Sequence, residues 1–144
     1  MKLLRSMRVA AAFVFGLCVN AALAAAPDGK SYRISVYSNF GTFFTQCISF
    51  NTSGGLAVGG YGTLVYTHDQ LNNESSSWQA IPNGPISGII LSFHGAVGGD
   101  DAETIHANAT NSFGDTFILQ GVAVASCANG SSLAASAASP WQKP

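Results

Sequence analysis

The chain has 144 residues, 47% of them hydrophobic and only 9% charged, with a formal net charge of −1. That length bounds it to one domain, and six scattered Lys and Arg residues are too few for a nucleic-acid surface, which needs many phosphate-neutralising cations. An anionic membrane surface is disfavoured for the same reason.

Residues 1–8 carry Lys2, Arg5 and Arg8, residues 9–24 are apolar and Ala-rich, and Ala22-Leu23-Ala24 offers the small-x-small pattern of a signal-peptidase site. A secretory signal peptide over residues 1–24 is expected, with cleavage after Ala24 and a secreted or periplasmic product. The apolar run is broken by Asn20 and falls short of the roughly 20 residues that a spanning helix needs, so no membrane attachment is expected once the leader is gone. Its removal leaves Lys30, Arg33 and Lys143 against seven acidic residues, a net charge of −4. It also leaves two cysteines, Cys47 and Cys127, which in an exported chain are expected to form one disulfide.

Residues 25–30 read as a flexible entry segment, followed by a barrel domain over 31–127. Residues 31–38 alternate Tyr32, Ile34 and Val36 against Arg33, Ser35 and Tyr37, the period of a half-buried strand. Residues 43–66 read as a hairpin turned at residues 51–55, with Phe44, Ile48 and Phe50 on the core face of its first strand and Leu56, Val58, Leu64 and Tyr66 aligned on its second. Gly60 and Gly62 lie between those last residues, and glycine within a strand marks a bend or a close backbone approach.

The polar run 68–77 has no apolar periodicity and is read as an exposed loop. Residues 78–81 form a short strand before the Pro82-Asn83-Gly84-Pro85 turn. Residues 86–94 make the next strand, with Ile89, Leu91 and Phe93 on one face and Ile86, Ile90 and His94 on the other. A hairpin turn at residues 98–101, a strand from Glu103 to Asn108, a turn at residues 111–115 and a last strand over 116–127 complete the series. Strict alternation puts Cys127 with Phe117 and Leu119 but Cys47 opposite Ile48 and Phe50, so a bulge at Gly121 is expected to bring the two cysteines together. Residues 128–144, rich in Ala and Ser, read as a disordered tail in which Trp141 is either incidental or docked on the barrel rim.

Short strands at near-regular spacing with turn punctuation and interior glycines predict an all-β fold: a small antiparallel meander barrel of about seven to eight strands, with a β-sandwich as the alternative. The pattern resembles, in style, avidin-like and lipocalin-like barrels and the small barrel-type protease inhibitors of bacterial periplasms. No motif of those families matches residue by residue, so no binding residue is carried over.

Chemistry-bearing constellations are sparse. His68, His94 and His106 lack the i, i+2 or i, i+4 spacing of local metal ligands. Asp100, Asp101 and Glu103 lack the alternating series of a calcium loop and lie too close together to flank a sugar. No nucleophile elbow or phosphate loop occurs. No catalytic, cofactor-binding or metal residue is assigned. A lumen remains as the candidate site: Tyr61, Tyr66, Trp78 and His94 are the expected pocket-lining residues, unless the Phe side chains fill that space. The first expectation is therefore an exported non-enzymatic binding module for a small apolar ligand or a protein partner, possibly as an inhibitor. A structural or surface-interaction protein with a solid core is second, and a metal-dependent or other hydrolase third.

Overall fold

The computed structural model describes residues 25–59, 62–82, 89–127 and 139–143. The expected leader, residues 128–138 of the expected tail, and Tyr61, Gly60 and Gly88 lie outside the described residues. Eight strands run in chain order: β1 (Ser31–Ser38), β2 (Phe43–Phe50), β3 (Gly55–Val58), β4 (Gly62–Asn72), β5 (Ser75–Ile81), β6 (Leu91–Gly98), β7 (Thr104–Asn111) and β8 (Thr116–Val124). Each pairs antiparallel with the next, and β1 pairs with β8, so the meander closes into a barrel rather than a two-sheet sandwich. The closing seam is as long as any other, with eight paired positions from Ser31↔Val124 to Ser38↔Phe117.

The period-2 pattern decides which side chains go in. Tyr32, Ile34 and Val36 of β1, Ile48 and Phe50 of β2, Leu64 and Tyr66 of β4, Phe93 and Val97 of β6, and Phe117 and Leu119 of β8 all point inward and are buried. The exposed alternate positions are mixed: Arg33, Thr45, Thr67, Gln79, His106 and Gln120 are polar, while Tyr37, Phe43, Val65, Ile81, Ile118 and Val122 are apolar. The interior is apolar, unlike the polar, water-filled lumen of a membrane channel barrel.

Two glycines let the wall curl. A Cβ on Gly95 would overlap the His106 carbonyl oxygen across β6–β7, and one on Gly121 would overlap the Arg33 carbonyl oxygen across β8–β1. Gly121 thus serves closure by close approach. It is not the expected bulge, because its register runs unbroken against both neighbours, Ile34 and Ile105. The disulfide between Cys47 and Cys127 does form, with a Cα separation of 5.6 Å. Parity is no obstacle: Cys127 lies beyond the end of β8, from where it reaches Cys47 on β2, one strand past the seam.

Other expectations are corrected in detail. The polar run 68–77 is no loop but the β4–β5 hairpin, where His68↔Trp78 and Asp69↔Ser77 are paired and a bulge sits between Gln70 and Asn72. The strand expected over 86–94 is β6, which begins only at Leu91 and continues through His94 to Gly98.

Candidate functional site

The barrel interior was the expected site, and packed aromatic side chains occupy it. Tyr66 and Trp78 are both buried, and the Phe50 ring stands edge-on to each, at centroid distances of 4.8 and 4.9 Å. Trp78 also stacks on Phe93 at 6.3 Å, and Tyr32 meets Phe50 at 5.8 Å. These contacts spend the rings on one another instead of leaving them to line a lumen.

Each open end is stopped by a segment that lies outside the strand series. At the end bearing the β4–β5 turn, residues 25–30 cross the mouth as a strap, although their sequence reads as a flexible entry. Ala25 is buried, and its carbonyl accepts a hydrogen bond from the Ser76 hydroxyl. Lys30 pairs with Asp101 at 2.6 Å. Asp28 occupies the middle of the strap, where one carboxylate oxygen accepts the Tyr66 hydroxyl and the other lies 2.8 Å from His68 Nε2. The Tyr66 hydroxyl is also 2.7 Å from the Asn51 carbonyl oxygen. Burial, and secondarily the Asp28 carboxylate, pushes the Tyr66 phenol well above its ordinary range. Tyr32 is raised likewise by burial and then by Asp101, and its hydroxyl donates to the Ala102 carbonyl at 2.9 Å.

Trp141 stops the opposite end. It is fully buried, packs against Phe44, Phe93 and Phe117 at 5.0, 5.6 and 5.1 Å, and accepts the Asn111 side-chain amide on its carbonyl at 2.8 Å. Asn111 is fixed by its own turn, since its Oδ1 accepts the amides of Phe113 and Asp115.

His94, the remaining pocket candidate, points outward. It sits between two shallow depressions on the outer wall that meet at His94 and Gly95. One, of about 320 Å³, spans β4–β6 and is bordered by Thr67, Asp69, Ser77 and Gln79; the other, of about 180 Å³, spans β6–β8 and is bordered by His106, Asn108, Ile118 and Gln120. Tyr66 and Trp78 are therefore brought together in the core, His94 stands apart from them on the surface, and Tyr61 lies outside the described residues. His68 faces the strap, whereas His94 and His106 lie together on the outer wall and both border the smaller depression. Among the described residues no three His, Cys, Asp or Glu side chains gather into a metal-binding group.

Sequence reasoning missed Asp28; for Trp141 it offered rim docking as one reading, and the structure embeds the ring fully. The Pro27-Asp28-Gly29 turn signal, which folds Lys30 N–H back onto the Pro27 carbonyl at 3.0 Å, was the available hint for the first. A lone tryptophan in an Ala/Ser context was the hint for the second. In comparisons with protein-family models, curated proteins and solved structures, the chain has no match.

Proposed function

We propose that this is an exported, non-enzymatic binding protein that engages a protein partner through its outer wall, centred on the β4–β8 face around His94. The observation that carries the reading is the interior packed with its own aromatic rings and stopped at both ends by Asp28 and Trp141. A small apolar ligand would have to displace that packing, whereas the outer depressions already present hydrogen-bonding side chains, the Asp69 carboxylate and the exposed Ile118 to a surface laid against them. The disulfide fits an oxidising compartment, and with it export.

Native mass spectrometry of the exported protein, combined with capture on immobilised wild type and a Gln79→Arg variant, tests this reading. A protein held by the wild type and released by the variant is the expected result. Equal capture by both, or a small apolar molecule co-purifying in stoichiometric amount, would overturn it.

A further inference from the structure

Although the ring of strands closes, one stretch of its wall has no neighbouring strand among the described residues. β2 pairs with β1 along Phe43–Ser49 but meets β3 only at Ile48, Ser49 and Phe50. The direction of the free groups follows from two hydrogen bonds. Gly59 N–H donates to the Cys47 carbonyl at 3.1 Å, so odd-numbered residues of β2 aim their backbone groups toward β3. Phe50 N–H donates to the Lys30 carbonyl at 2.8 Å, so even-numbered ones aim the other way. β3 ends at Val58. The N–H and C=O groups of Phe43 and Thr45 therefore project from an edge that no strand among the described residues covers, and both residues are exposed. Such an edge is a template for strand addition.

We infer that two copies of this chain pair through these β2 edges, antiparallel about a twofold axis beside Phe44. Phe43 of one copy then faces Thr45 of the other, and the two residue pairs exchange four backbone hydrogen bonds. Three observations favour a second copy as the occupant. An antiparallel edge is its own complement under a twofold. From Ile34 to His68 the chain has no Asp, Glu, Lys or Arg, so the edge lacks the charges that normally guard one, and this flank is where two like-charged molecules can approach without repulsion. Finally, an apolar row leads up to the edge: Tyr37 is in register with Phe43 on one side and Ile118 on the other, and all three are at least half exposed. The twofold continues this row across the interface. Because β2 and β6 lie four strands apart in an eight-strand ring, the two His94 faces would point away from each other and leave both free for a partner.

Sedimentation velocity over a wide concentration range, with amide hydrogen exchange at low and high concentration, tests the pairing. The wild type is expected to form a concentration-dependent dimer in which the Phe43 and Thr45 amides become protected. Phe43→Lys, which places a charge on the edge, and Thr45→Pro, which removes an N–H that the monomer does not use, are expected to stay monomeric with unchanged far-ultraviolet circular dichroism and a cooperative urea transition. A wild type that is monomeric throughout, a dimer that survives in folded Phe43→Lys, or exchange at Phe43 and Thr45 that ignores concentration would each overturn it. Capture through the His94 face is expected to persist in Phe43→Lys, which separates failure of the dimer from failure of partner binding.

Discussion

Asp28 and Tyr66 are 38 positions apart in sequence, yet the carboxylate of one accepts a hydrogen bond from the hydroxyl of the other at the strapped mouth of the barrel. This contact, with His68 alongside, is what fastens residues 25–30 across the Phe50, Tyr66 and Trp78 cluster.

Asp28→Ala is expected to lower stability by about 1.5–3 kcal/mol, the worth of a hydrogen bond to a charged group, with the Tyr66 hydroxyl left to the Asn51 carbonyl alone. Asp28→Asn, which keeps an acceptor for the tyrosine, is expected to lose less. Urea midpoints of the two variants and of their combinations with Tyr66→Phe check this. In a double-mutant cycle, Asp28→Ala and Tyr66→Phe are expected to be non-additive because they remove the same contact.

Alkali is expected to unfold the barrel. The phenols of Tyr32 and Tyr66 ionise above their ordinary pKa of 10.0 in the folded state, burial being the main cause. Above pH 10 the unfolded chain therefore gives up these protons while the folded one retains them, and stability falls as pH rises. Below pH 10 the two phenols contribute no slope. Unfolding followed by circular dichroism against pH, with Tyr32→Phe and Tyr66→Phe as controls, is expected to show a shallower alkaline decline in each variant.

Trp141→Ala is expected to cost about 3–5 kcal/mol, as for other fully buried aromatic residues. It removes three ring contacts and opens a void beside Phe44, Phe93 and Phe117. A drop in the urea midpoint with an unchanged slope is the measurement.

Loss of the disulfide through paired Cys→Ser substitutions is expected to cost up to about 4.5 kcal/mol in the chain-entropy account, given a sequence separation of 80 between the cysteines. The barrel itself is expected to survive, because closure is carried by the eight-position seam between β1 and β8 and not by the sulfurs. Far-ultraviolet circular dichroism with and without reductant distinguishes lost stability from lost fold.

The wall of the barrel was legible in the sequence wherever alternation was clean. Tyr32, Ile34 and Val36 against Arg33 and Ser35 admit only one inward face. Around His94 the sequence was ambiguous, since Ile86, Ile90 and His94 formed an apolar face as plausible as that of Leu91 and Phe93. Packing chose the latter and left Ile90 45% exposed. The β4–β5 hairpin was missed because its far half carries polar side chains on both faces: its pairing is held by backbone bonds, which leave no trace in hydropathy. The two plugs were only faintly signalled, for a different reason. Asp28 and Trp141 sit on segments with no period at all, and their burial depends on the shape of a barrel that must close before it has mouths to fill.

Placing the plugs near the two ends of the described residues has a consequence for the order in which the chain can fold. With Ala25 beneath one mouth, Trp141 in the other and β1 joined to β8, no shorter stretch contains a finished core. A chain emerging head first from the ribosome finds no stable resting point until residue 141 has followed. Compaction is thereby postponed by the topology itself until nearly the whole sequence is at hand.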